Sequence, residues 1–245
     1  MKKILIVLLA ALLVLAAVAC KANEAPKAAA QEEAAKEEMK ETVENETAKE
    51  PLAGGWTPAE DFSITDERQA IFDNGMAVIS SIHTPLAYLG SQVVAGTNHC
   101  FLSKGSNRLE LVYLYEDLQG NVHVQLMNIA KLPIVPQADG TVTAPEAGLM
   151  GGWSYAEDPA VTDEMQARLN KALEGMVGAS YLPVANLGTQ VVAGLNRCLL
   201  CRVTPVVPDA QPHYALVYVY EDLQGGASLS QVIDLDVGAY CTYGA

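Results

Sequence analysis

The chain is short of positive charge: 15 Lys and Arg stand against 29 Asp and Glu, giving a formal net charge of −14. Nucleic-acid phosphates would be repelled by such a surface, which excludes them as partners. Peripheral docking on anionic lipid is excluded for the same reason. Metal spacing is lacking too. No His or second Cys pair accompanies Cys198-x-x-Cys201 at zinc spacing. Residues three apart on a strand also face opposite ways, so metal and redox chemistry are not expected there. Neither a Gly-rich phosphate loop nor a glycosidase-like carboxylate signature is present. His83, His123 and His213 are scattered, and His99 beside Cys100 cannot form a Cys–His pair within one strand. The chain therefore reads as a non-enzyme, with no catalytic residue, metal or cofactor.

The apolar run Ile4 to Val18 falls short of the ~20 residues that cross a bilayer. Behind Lys2 and Lys3 it has the size of a signal-peptide segment, removed on export. It ends in Ala17-Val18-Ala19-Cys20, which resembles the bacterial lipobox and marks Cys20 as a lipidation site. Acyl chains there would be the only membrane contact, each buried methylene contributing about 0.8 kcal/mol. Lys21 to about Pro51 is Ala, Glu and Lys, too poor in large apolar residues for a core, and reads as a tether. The expected location is the cell envelope, as an anchored lipoprotein, with a secreted soluble protein as the alternative. Export permits a disulfide, and the pairing of Cys100, Cys198, Cys201 and Cys241 is open.

Beyond the tether the sequence repeats itself. Gly54-Gly55-Trp56 recurs 97 positions on as Gly151-Gly152-Trp153. Gln92-Val93-Val94-Ala95-Gly96 recurs 98 positions on as Gln190-Val191-Val192-Ala193-Gly194, with Asn98 and Cys100 matched by Asn196 and Cys198. Tyr115 to Gly120 recurs 105 positions on as Tyr220 to Gly225, so the second copy holds a longer loop near Thr204 to Pro212. Repetition of separated segments in order marks a duplicated module. The expected bounds are a signal peptide through residue 19, a tether over 20–51, modules over 52–136 and 150–245, and a linker over 137–149.

Each copy has one helical pattern. Asp66 and Glu67 suit a helix N-terminus, and Ile71, Phe72, Met76, Ile79 and Ile82 come after them at spacings of three and four. Met165, Leu169, Leu173, Met176 and Val177 do the same after Asp163 and Glu164. Leu109 to Tyr115 and Tyr214 to Tyr220 are rich in β-formers, and Asn121 to Leu126 alternates as a half-buried strand does. The expected class is α+β: two tandem modules, each one helix on a four- to five-stranded antiparallel sheet.

On these residues each copy resembles a cystatin, the family of reversible inhibitors of papain-like cysteine proteases. The likeness rests on a glycine segment, a Gln-x-Val-x-Gly hairpin and a later hairpin, in that order. It implies a protease-binding edge made of Gly54, Gly55 and Trp56, Gln92 to Gly96, and Leu118, Gln119 and Gly120. The second copy supplies Gly151, Gly152 and Trp153, Gln190, Val191, Val192, Ala193 and Gly194, and Leu223, Gln224 and Gly225. The partner implied is a papain-like protease. Leu-Gln-Gly departs from the Pro-Trp usual in the second hairpin of secreted cystatins. The alternative reading is a cell-surface module that binds a protein through the same edge without inhibiting it.

Overall fold

Strands rather than helices dominate, because the repeated segments are runs of Val, Leu, Tyr and Ile broken by glycine turns. The structure, a computed structural model, describes residues 54–146 and 151–241, with the side chains of 124–128 excepted. Cys20, the signal segment, the whole tether over 20–51 and residues 147–150 of the linker region lie outside the described residues.

The first sheet runs in the order β1 (Trp56–Pro58), β2 (Thr84–Val94), β3 (Gly96–Lys104), β4 (Leu109–Glu116) and β5 (Val122–Lys131), every neighbour antiparallel. The second repeats it with β8 (Trp153–Tyr155), β9 (Ala179–Val192), β10 (Gly194–Pro205), β11 (His213–Glu221) and β12 (Ala227–Leu235). Between them β6 (Val135–Pro136) and β7 (Val142–Thr143) form a small hairpin, in what the sequence suggested was partly a linker. Helix α1 (Asp66–Met76) comes after β1 and α2 (Asp163–Ala172) after β8; a 3₁₀ turn, η1 (Val237–Tyr240), comes after β12.

The expected α+β class is corrected. Among the described residues there are twelve strands against two helices of 11 and 10 residues, so the chain is mostly β. Nor does it consist of separate helix-on-sheet modules. The two sheets pack face to face through one continuous core that takes Leu89, Cys100, Leu102, Leu111 and Tyr113 from the first and Leu187, Cys198, Leu200, Leu216 and Tyr218 from the second. Residues 50–245 accordingly form a single unit. Each helix is a short addition to the outer face of this sandwich: Phe72 and Met76 pack on Phe101, Val112 and Leu114, and Leu169 packs on Leu199, Val217 and Val219. With both faces covered, every side chain from Leu109 to Leu114 is buried.

The helices also end sooner than their apolar spacing suggested. Thr65 caps α1 by accepting from Arg68 N at 3.3 Å, and Thr162 caps α2 by accepting from Met165 N at 3.3 Å. At the other end α1 stops at Met76, leaving Ile82 80% exposed, and α2 stops at Ala172, leaving Val177 94% exposed. Gly175 at φ +81° turns the chain away just past α2. In α1, Gly75 lies so close to Leu114 that a Cβ there would stand 2.7 Å from its Cδ2, so a glycine brings this helix down onto β4.

The sheets run in opposite directions across the core. Tyr113, near the β4–β5 turn of the first sheet, donates to Val237 O beyond the far end of β12 at 2.5 Å. Tyr218, near the β11–β12 turn of the second, donates to Ile134 O beyond the far end of β5 at 3.2 Å. Tyr155 of β8 donates to Leu132 O at 2.6 Å, adding a further tie of the second kind. Burial raises the pKa of all three tyrosines, Tyr155 to about 12.

Candidate functional site

The antiparallel order places three separated segments at one end of the first sheet: the start of β1, the β2–β3 turn and the β4–β5 turn. Trp56 pairs with Gln92, Val94 with Gly96, Thr97 with Glu116 and Glu116 with Val122, so all three lie on neighbouring rungs. The second sheet does likewise, with Trp153 opposite Gln190, Val192 opposite Gly194, Leu195 opposite Glu221 and Glu221 opposite Ala227.

One hydrogen-bond pattern holds each end together. Gln92 Nε2 donates to Gly54 O at 3.0 Å, while its Oε1 accepts from Asn98 Nδ2 at 2.9 Å. Gln190 Nε2 donates to Gly151 O at 2.9 Å, and its Oε1 accepts from Asn196 Nδ2 at 2.9 Å. The repeated glutamine is therefore a clamp that fastens the glycine segment to the hairpin. Tyr115 and Tyr220 donate their hydroxyls to the turn carbonyls Ala95 O and Ala193 O, the latter at 2.6 Å. This pair of tyrosines was missed as site residues although both stand in the repeated run, which is the signal that would have found them.

Gly96 and Gly194 adopt φ +133° and +135°, and a Cβ on either would stand 2.4 Å from the carbonyl oxygen of Glu116 or Glu221. No other residue fits there without moving backbone. In the later turns Asp117 Oδ1 accepts from Gln119 N at 2.9 Å, and Asp222 Oδ1 accepts from Gln224 N at 2.8 Å. The side-chain hydrogen bond from Asn121 holds the Asp117 carboxyl below its usual range, and the backbone hydrogen bond from Gly226 does so for Asp222. These turns are locally fixed loops.

The sequence-derived contact residues divide by placement. Val93, Ala95, Leu118, Gln119 and Gly120 are exposed at the first end, with Leu118 at 79%. Val191, Val192, Ala193, Leu223 and Gln224 are exposed at the second, with Val191 at 70% and Leu223 at 80%. Val94 and Gly225 are half-buried. The tryptophans turn inward. Trp153 is buried and meets Tyr218 edge-on at 5.5 Å, and Trp56 meets Tyr113 at 5.6 Å, so both anchor the glycine segment instead of facing outward. Within the two glycine segments the left-handed backbone lies at Gly54 (φ +85°) and Gly151 (φ +70°).

Behind the turns the ends differ. In the first, His99 sits between Tyr88 Oη at 3.0 Å and Glu116 Oε2 at 3.1 Å. Burial lowers its pKa, and the Glu116 hydrogen bond opposes that. In the second, Arg197 Nε meets Glu221 Oε1 at 2.7 Å. Cys198 lies in the shared core and Cys201 under α2, on opposite faces of β10, and burial raises both thiols, Cys201 to about 12. Among the described residues no cluster of His, Cys, Asp or Glu is arranged to hold a metal. No protein-family model matches the chain, and no curated protein is similar to it.

Proposed function

We propose that each loop end reversibly and tightly inhibits a papain-like cysteine protease by filling its active-site cleft. The observation that carries this reading is the clamp, in which one glutamine joins the glycine segment and the hairpin at both ends. Beside each clamp stand exposed Val and Leu side chains on short, internally bonded turns. Such an edge suits an apolar cleft, and loops already fixed lose little conformational entropy on docking. A cleft filled by turn backbone, with Gly96 or Gly194 at the tightest point, is blocked without a peptide bond being offered for cleavage. The resemblance to cystatins lies in the order of these segments. The lipid anchor at Cys20 and placement at the cell envelope belong to the same proposal, which has the tether presenting the body to proteases outside the cell.

The test is titration of papain with the purified protein, using a peptide substrate. Sub-micromolar competitive inhibition, equivalent to about −8 kcal/mol or stronger, with the inhibitor recovered uncut, is the expected result. Replacing the exposed apolar residues at both ends, V93D with L118D and V191D with L223D, should abolish it while leaving the fold intact. Binding of papain without loss of its activity would favour the non-inhibitory binding module instead. No effect at about 100 μM, weaker than about −5.5 kcal/mol, would refute the inhibitor reading and leave the non-inhibitory module.

A further inference from the structure

We infer that the two loop ends point in opposite directions and hold two protease molecules at once, making the body a bridge between them. The inference rests on the protease reading and adds to it the number and placement of the partners. Its basis is the opposed packing of the sheets. Tyr113 lies three residues before Glu116, the last rung of the first loop end, and reaches Val237, which lies past the last residue of β12. Trp56, at the same end, packs so closely on this segment that a Cβ on Gly238 would stand 2.6 Å from its Cδ1. The equivalent relation is repeated from the other side. Tyr218 lies three residues before Glu221 and reaches Ile134, past the last residue of β5, and a Cβ on Gly188 would stand 2.5 Å from Ile134 Cδ1. Each loop end therefore overlies the far end of the opposite sheet.

The strands set the distance. Glu116 back to Tyr113 is three residue steps, and β12 from Leu235, just before the segment that Tyr113 reaches, to Ala227 is eight, eleven steps in all. At about 3.3 Å per residue that separates the two ends by roughly 35 Å. The turns face outward along that axis, so a protease seated on one end approaches from the side away from the other. The body between them is a core with side chains of both sheets interlocked, which keeps the two ends from folding together.

The test is the mass of complexes formed by the full protein with excess catalytically silenced papain, read by sedimentation or light scattering. The expected species holds two papain molecules per chain. V93D/L118D and V191D/L223D should each reduce it to one, and the four-residue variant to none. A wild-type complex that saturates at one papain, while each two-residue variant also binds one, would overturn simultaneous occupancy and leave the inhibitory reading standing. Binding by one two-residue variant only would overturn the second site. No complex with any form would overturn both the inference and the reading beneath it.

Discussion

Replacing Gln92 with Ala removes both arms of the first clamp. One arm is a half-exposed hydrogen bond to Gly54 O, with a net contribution of about 0.5–1 kcal/mol. The other is the acceptor for Asn98, whose side chain is buried at 1% exposure and is left with an unsatisfied amide. An orphaned buried donor costs about 1–3 kcal/mol, so Q92A should lose about 2–3 kcal/mol. In a body of this size that lowers the melting temperature by about 5–10 °C. At the second end Asn196 is half-exposed, and water can replace the lost acceptor. Q190A should therefore cost only about 1 kcal/mol. Q92E keeps the acceptor for Asn98 but sets a carboxylate against Gly54 O, and should lie at or below Q92A. The assay is urea unfolding of the three variants, with amide exchange at Trp56 and Thr57 to monitor release of the glycine segment. Equal losses at the two ends, or a Q92A loss under about 0.5 kcal/mol, the scatter of ordinary surface changes, would refute the clamp.

G96A and G194A should each destabilise by about 2 kcal/mol or more by unfolding, since each adds a Cβ at positive φ against a backbone oxygen. Y113F and Y218F should each cost about 1–2 kcal/mol, because each removes the hydroxyl donated to a buried carbonyl in the segment just past the opposite sheet's last strand. Both should also lower one single unfolding transition; two separable transitions would contradict the shared core. Between about pH 7.5 and 5, above the range in which Asp117 and Asp222 titrate, acid should weaken the first end more than the second. The folded pKa of His99 lies below its ordinary 6.5, so the unfolded chain takes up the proton first. The stability that neutral His99 contributes is complete above that value and is lost as pH falls through the folded pKa. The groups facing His99 are Glu116, Tyr88, Glu67 and Arg68. The second end has Arg197, not a histidine, in the position of His99. Between about pH 7.5 and 5 the affinity of V191D/L223D for papain should fall relative to that of V93D/L118D; a constant ratio would contradict this.

The repeat made the clamp legible, since Gly54, Gln92 and Asn98 recur with their neighbours and hydrogen bonds join them in both copies. The shared core was not legible in the same way. Leu111 to Leu114 and Tyr214 to Val219 are continuous apolar runs, as strands covered on both faces are. Their length suits strands covered on one face or on two, so the sequence alone does not distinguish a one-sided sheet under a helix from a sheet covered on both faces. The tryptophans misled for another reason. Beside two glycines they looked like part of an exposed edge, but their large apolar rings are accommodated against Tyr113 and Tyr218 in the core. Helix length was misjudged because apolar spacing continued through Ile82 and Val177 past the points where the chain turns.

The most direct measurement is hydrogen–deuterium exchange of the full protein with and without catalytically silenced papain. Contact through the loop ends should slow exchange at residues 54–57, 92–97 and 117–121 and at their counterparts 151–154, 190–195 and 222–226. The helices and β6–β7 should be unchanged. Protection centred on the helices or the β6–β7 hairpin, or no protection at saturating papain, would contradict the assignment of these ends as the inhibitory surface.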